Sequence, residues 1–116
     1  MKISGILTKV RELLRDNSAA VHNYTDQQIA QGAVDGCHQL FSIRPESRYV
    51  NGVLTDVEFS STHTTLVEQD IPIPEKWVLG VIYYAAARCY EIDVTDTVNL
   101  QLANQMKQNA IQVFQT

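Results

Sequence analysis

Residues 71–92 read IPIPEKWVLGVIYYAAARCYEI and decide the fold of this chain. Pro74 suits the first turn of a helix, because its missing N–H would be unpaired at that position. From Trp77 to Ile92 the only charges are Arg88 and Glu91, and apolar side chains cover nearly the whole helical circumference. A helix that is apolar all round is buried on all sides. The stretch therefore predicts a central helix over about 74–92, too short and too charged to cross a bilayer comfortably.

Length and charge limit the class of protein. The chain has 116 residues, a formal net charge of −4, 45% hydrophobic residues and 19% charged residues. This size fits a single domain over 1–116 with one core. The negative net charge argues against nucleic-acid binding through basic residues. No signal peptide pattern opens the chain. Cys37 and Cys89 fall at apolar helix positions, which predicts buried thiols in a reducing cytosol.

The first predicted helix covers about 3–15. Its apolar side chains share one arc, which is typical of a helix that packs on a core through one stripe. Its charged residues take the opposite face; they are Lys9, Arg11, Glu12 and Arg15.

The second predicted helix covers about 25–42. Thr25 is followed three residues later by Gln28, which is the pattern of a capping box at a helix start. Gly32 and Gly36 lie one turn apart and each weakens the helix by about 1 kcal/mol relative to alanine. This flat strip either marks a point where another helix crosses or has no packing role.

The residue pattern of the segment 47–70 differs from that of the predicted helices. Asn51 and Gly52 stand between two strand-like runs and predict a type I′ turn. The sequence therefore predicts two or three short strands, a β-hairpin or an extended arm inserted between the second and third long helices. A lone hairpin is marginal in water and needs support from the helices or from another chain.

The last predicted helix covers about 96–114, and its only charged residues are Asp96 and Lys107. Glutamines recur in steps of four and three and form one stripe along it; they are Gln101, Gln105, Gln108, Gln112 and Gln115. The stripe is either a solvent-exposed outer face of moderate polarity, or a surface that contacts another subunit or faces a channel. Neutral amides can pair there without the desolvation cost of ions.

Residues with catalytic or metal-binding chemistry are sparse. The histidines His22, His38 and His63 lack partners at metal-ligand spacing, and no nucleophile or phosphate-loop motif is present. Cys37 and His38 are adjacent, but Cys37 falls at the centre of the buried arc and reads first as a core thiol. We therefore expect no enzyme, no cofactor and no metal. Arg44 and Arg48, on either side of Pro45, are candidates to meet an acidic partner.

Several segments follow one another in a characteristic order. An amphipathic opener comes first, then a helix entry and a helix end with an Arg-Pro pair, a polar middle, and a Pro-led entry to a helix rich in Tyr and Ala. Apart from the polar middle, these segments are residues 6–14, 24–29, 41–46, 73–77 and 83–90, and a turn with Asp93 and Asp96 and a final helix follow them. Their order resembles the head–tail connector proteins of tailed bacteriophages, also called adaptor or head-completion proteins, over essentially the full length.

The resemblance implies a fold and a function. It implies a mainly α, four-helix bundle-like domain with an inserted arm, and a dodecameric ring of copies beneath the portal protein of the virion. The ring would extend the DNA channel and dock a tail or nozzle protein, while double-stranded DNA passes without specific binding. The subunits would be made in the host bacterial cytoplasm, with no membrane partner and no catalytic residues.

We expect two groups of residues to contact neighbouring copies or partner rings, because they are uncharged and form an extended or ribbed surface. The first group lies on the last helix and comprises Gln101, Gln105, Gln108 and Gln112. The second lies in the arm and comprises Tyr49, Val53, Val57 and Phe59.

Three other interpretations of the sequence stay open. A phage tail-completion or tail-terminator protein would be richer in sheet. A small cytoplasmic helical regulator, or a toxin–antitoxin partner, would form a dimer. An enzyme without a recognisable motif would use Cys37 or His63.

Overall fold

The structure, a computed structural model, describes residues 2–14, 24–50, 53–54, 58–70, 73–92 and 97–116. At 49–50, 53–54 and 97–98 it describes the backbone alone. The helices in these ranges are α1 (Ile3–Leu14), α2 (Asp26–Ile43), α3 (His63–Glu68), α4 (Glu75–Ile92) and α5 (Thr97–Phe114). The prediction of a mainly helical fold is confirmed, and the arrangement is compatible with a helical bundle.

Local sequence signals place the four long helices well. Each end of α1, α2, α4 and α5 lies within one residue of its predicted range. The capping box at the start of α2 is confirmed: the Gln28 backbone N–H donates to Thr25 Oγ1 over 3.1 Å, and the Thr25 N–H donates to Gln28 Oε1 over 2.9 Å. Two otherwise unpaired donors are thereby satisfied at the helix start.

Helix α4 lies at the centre of the fold, where α1, α2 and α5 all pack against it. Its small side chains Ala85 and Ala86 are fully buried, so neighbouring helices approach closely. However, Leu79 and Ile92 are each 49% exposed. The prediction that α4 is buried on all sides is therefore wrong at these two positions, because three surrounding helices do not close a full circle around a fourth.

Gly32 and Gly36 form the crossing point of α2 and α4. A Cβ atom added at Gly32 would lie 3.1 Å from the Ala85 carbonyl oxygen, and one added at Gly36 would lie 3.2 Å from the Val81 carbonyl oxygen. Because the later glycine faces the earlier residue of α4, the two helices run antiparallel. Of the two interpretations of the glycine pair, the structure shows the packing one.

Arg11 joins the end of α1 to the start of α2. Its side chain is buried, forms an ion pair with Asp26, and donates from Nη2 to the Tyr24 carbonyl oxygen over 3.1 Å. The prediction that Arg11 lies on the outer face of α1 with the other charged residues is wrong. Asp26 occupies the first turn of α2, where the helix dipole favours a carboxylate, and the arginine stem packs in the gap between the helices.

The segment predicted as strands or an arm folds differently over much of its described length. After a 3₁₀ turn at Pro45–Arg48, strands β1 (Tyr49–Val50) and β2 (Val53–Leu54) pair antiparallel. These strands have two residues each and are much shorter than the predicted arm, and further along the described chain α3 replaces the expected extended structure. The turn at Asn51 and Gly52 lies outside the described residues.

Burial explains why α3 is a helix. Leu66 is buried in the core, and the partly buried side chain of Val67 packs against the core. One helical turn brings these side chains onto α1 and α2, and this packing overrides the extended preference of the surrounding threonines.

Gln69 fastens residues 58–70 to the helices. Its side-chain amide donates to the Glu58 carbonyl oxygen over 2.6 Å and accepts from the Ser60 N–H over 3.1 Å. The backbone carbonyl oxygen of Gln69 accepts from the Ile3 N–H at the start of α1 over 3.2 Å. Residues 58–70 therefore belong to the helical body rather than to a projecting arm.

Candidate assembly surface

One face of α5 presents a row of exposed side-chain amides to solvent. We call it the amide face; it comprises Gln101, Gln105, Gln108, Gln112 and Gln115, all of which are exposed. The structure thus places all four glutamines predicted as contact residues on the outside of the protein, along a single helix.

The amide face is uncharged because the one charged side chain of α5 is turned away from it. Lys107 forms an ion pair with Glu91 of α4 and lies 6.0 Å from the centre of the Tyr84 ring. Glu91 also accepts from Arg88, which in turn contacts Asp35 of α2. These charges link three helices, and none of them lies in the row of glutamines.

The opposite face of α5 is fixed to α4. Ala103, Ala110 and Phe114 are fully buried there. A Cβ atom added at Gly80 of α4 would overlap the Phe114 ring, so the ring lies directly on the glycine. The amide face therefore stands on a helix held firmly by its buried side.

Arg44 holds the C-terminal end of α5. Its Nε donates to the Phe114 carbonyl oxygen over 2.8 Å, and its Nη2 donates to the Gln115 carbonyl oxygen over 2.6 Å. Carbonyl groups at the end of a helix lack intrahelical partners and attract a cation. Arg44, which the sequence offered as a candidate for an acidic partner, is thus used inside the molecule.

Replacing Arg44 by methionine is expected to lower the free energy of unfolding by about 1–3 kcal/mol, since two charge-assisted hydrogen bonds are lost. Urea denaturation followed by far-UV circular dichroism measures the change. The matched control is Lys9→Met, which removes a cation whose contact with Glu12 is exposed and which should cost less than about 0.5 kcal/mol. Equal losses in the two variants would contradict this account of Arg44.

The predicted arm contacts are placed in part. Tyr49 and Val53 lie in the paired strands, where the backbone alone is described, and Val57 lies outside the described residues. Phe59 is half-buried, and its ring packs edge-on against His38 of α2 with centroids 5.2 Å apart. Phe59 thus already has one partner within its own chain.

The candidate catalytic residues Cys37, His38 and His63 differ in burial and in the groups that they contact. Cys37 is fully buried, and this burial raises the pKa of its thiol to about 12, so the thiolate is scarce at neutral pH. The neighbouring His38 is exposed and faces the rings of Phe41 and Phe59 instead. His63 begins α3 and is half-buried. In the part of the chain that the structure describes, no group of three or more His, Cys, Asp or Glu side chains could hold a metal ion.

Comparisons with known proteins found no similar protein. Neither the models of protein families, nor the curated proteins, nor the solved structures contain a match to this chain. Over the described ranges, no helix combines the length and the apolar character needed to cross a membrane.

Proposed function

We propose that this chain is a structural subunit of a tailed-bacteriophage virion. In this proposal, copies form a dodecameric ring that joins the portal of the head to the tail or nozzle protein and extends the DNA channel. The observation that most supports the proposal is the uncharged amide face on a firmly packed α5. The resemblance in the order of sequence segments supports the specific assignment to head–tail connectors.

The chemistry of the amide face suits a contact between copies. Interface cores are depleted in charged residues, because an ion that loses its water without a partner is costly. An amide side chain offers both donors and an acceptor, so two such rows can pair across a boundary. A solvated helix face more often uses Glu and Lys, and α5 has neither on this side.

The segment after α2 supplies the second proposed contact. Strands β1 and β2 form a two-stranded ladder, and the outer edge of such a ladder leaves backbone N–H and C=O groups that another chain can pair with. We infer that the finer element, a short inserted hairpin that contains β1 and β2, reaches a neighbouring copy or partner ring. Phe59, whose ring packs against His38 of α2, would then support the base of the hairpin.

The charge of the chain suits a channel wall. A subunit with a formal net charge of −4, repeated around a pore, repels phosphate groups and lets DNA slide without sticking. Specific DNA binding is not part of the proposal.

Of the three alternatives raised by the sequence, the structure weighs against the sheet-rich protein and against a Cys37 enzyme, and the mass of the protein distinguishes the third. A sheet-rich tail terminator fits poorly with a mainly helical chain. The burial of Cys37 argues against its use as a nucleophile, and His63→Ala tests the other residue named for an enzyme. A helical regulator would form a dimer, and its mass separates it from a ring.

The test adds charge to the amide face. Gln105→Glu combined with Gln112→Glu places like charges on every copy, and native mass spectrometry should then show loss of the assembled ring. The control Gln27→Glu with Thr64→Glu adds the same charge at exposed positions of α2 and α3 and should assemble like the unmodified protein. Unchanged assembly of the α5 variant, or equal loss in the control, would reject the role of the amide face.

A further inference from the structure

An open groove runs along the first half of α4. Leu79 of α4 is 49% exposed and Leu13 of α1 is 37% exposed. Leu79 and Tyr83 form a ridge with a cleft on each side: one of about 340 Å³ against α1, and one of about 510 Å³ against α5. We call this the Leu79 groove; its apolar lining is Leu13, Leu79, Ile82, Tyr83 and Val113.

The shape of the groove suits a helix. Leu79 and Tyr83 are four residues apart and so stand about one helical turn, roughly 6 Å, apart along α4. A partner helix that lies in such a groove places apolar side chains at i, i+3 or i+4, and i+7 into successive depressions. The two clefts beside the ridge provide depressions large enough for leucine side chains.

The charge on the rim favours carboxylates. Lys76 lines the cleft against α5, and in the described part of the chain no carboxylate lies within ion-pair distance of it; its Nζ lies 4.4 Å from the centre of the Trp77 ring. Lys76 also occupies the first turn of α4, where the helix dipole adds positive potential. Glu75 precedes it but lines neither cleft.

The second cation on the rim is only weakly neutralised. Lys9 and Glu12 both line the cleft against α1 and contact each other over 3.6 Å, with both side chains more than half exposed. Such a surface pair contributes little and exchanges partners easily. In a chain of net negative charge, the groove therefore has lysines at both clefts that are available to an acidic partner.

A second copy of this chain does not offer the matching surface among the described residues. The other two exposed large apolar side chains are Ile92 and Leu100. Ile92 adjoins Glu91, which Arg88 and Lys107 already neutralise, and Leu100 lies on a helix without acidic residues. In the described part of the chain, the carboxylates beside exposed apolar side chains already contact cations, Glu91 with Arg88 and Lys107 and Glu12 with Lys9, which favours a different protein as the source of the acidic helix.

We propose that the Leu79 groove binds an amphipathic, acidic helix of a protein other than this one. The groove shares Gln112 with the amide face, but this inference needs only the surface of a single subunit and is tested separately from the ring. Leu79 and Tyr83 separate two apolar anchors of the partner, while Lys76 and Lys9 meet its carboxylates.

The test uses two synthetic helical peptides of equal length with the same row of leucines, one bearing glutamates and the other lysines at the flanking positions. Fluorescence anisotropy should show saturable binding of the glutamate peptide, about tenfold tighter than the lysine peptide. Methyl NMR shifts on titration should concentrate at Leu13, Leu79 and Val113. Lys76→Glu should remove the preference for the glutamate peptide, and Leu79→Glu should abolish binding.

The control is Ile92→Glu, which adds the same charge at an equally exposed position at the other end of α4 and should leave binding unchanged. Circular dichroism checks that each variant is folded. The proposal is overturned by no saturable binding, by equal binding of the two peptides, by shifts centred elsewhere, or by undiminished binding to Leu79→Glu. A changed mass of the free Leu79→Glu protein would show that a second copy occupies the groove, which also overturns it. The peptide titrations use protein with an unmodified α5, because Gln112 lines the cleft that contains Lys76 and Gln112→Glu would itself weaken binding of an acidic peptide.

Discussion

Replacing Phe114 by alanine is expected to lower the free energy of unfolding by about 3–5 kcal/mol. The ring is fully buried and lies directly on Gly80 of α4. Its removal opens a cavity that the backbone at Gly80 cannot fill. The same residue provides a carbonyl group that Arg44 binds, so loosening at this position also weakens the end of α5. Since single domains are stable by about 5–15 kcal/mol, this one change removes a large share of the total.

Urea denaturation at a fixed protein concentration measures the loss, because any self-association would otherwise shift the apparent stability. Leu100→Ala is the matched control on the same helix: Leu100 is 45% exposed, and its truncation should cost less than about 1 kcal/mol. Similar losses for Phe114→Ala and Leu100→Ala would contradict the placement of Phe114 as the residue that fixes α5 to α4.

Replacing Gly36 by leucine is the second change with a large expected effect. An added Cβ atom at this position already lies 3.2 Å from the Val81 carbonyl oxygen, and a backbone atom cannot move aside as a flexible side chain can. A leucine must therefore push α2 away from α4, and we expect a loss of about 1–3 kcal/mol or more. The gain in helix propensity over glycine, about 1 kcal/mol, offsets only part of this.

The control for Gly36→Leu is Gln31→Leu, on the exposed side of the same helix. It introduces the same side chain without a neighbour to displace, and its effect should stay within about 0.5 kcal/mol. Thermal unfolding followed by circular dichroism compares the two. A Gly36→Leu variant as stable as the Gln31→Leu variant would show that the helices do not cross closely at this point.

Sequence reasoning located the long helices because their signals are local. The capping box at Thr25 and Gln28 marks the start of α2, and the apolar periodicity of residues 71–92 marks α4. The glycine pair was recognisable as a flat strip, although its partner helix was not. These signals depend on neighbours within one or two helical turns, which a single sequence contains in full.

The contacts that sequence reasoning missed join residues far apart in the chain. Arg44 donates to carbonyl oxygens seventy and seventy-one residues later in the chain. No periodicity in the sequence predicts such hydrogen bonds. Helix α3 forms because Leu66 finds a place in the core, which depends on where α1 and α2 lie. Leu79 is exposed because the helices around α4 leave a gap, whereas the apolar pattern of α4 suggested full burial.

The candidate assembly surface was more accessible to sequence reasoning than the tertiary contacts were. The proposed contact with another chain depends on surface chemistry, and the glutamines that would supply this chemistry are visible in the sequence. The structure adds that Lys107 is turned toward Glu91, which leaves the row without charge. By contrast, the Leu79 groove combines side chains from three helices, so only the folded arrangement brings them together.

The mass of the purified protein tests the central claim most directly, namely that this chain functions as an assembled ring. Native mass spectrometry should find species at a high multiple of the 13.1 kDa subunit, formed by the chain alone or once a phage portal ring and tail protein are added. A protein that stays a single subunit under all of these conditions would contradict the account.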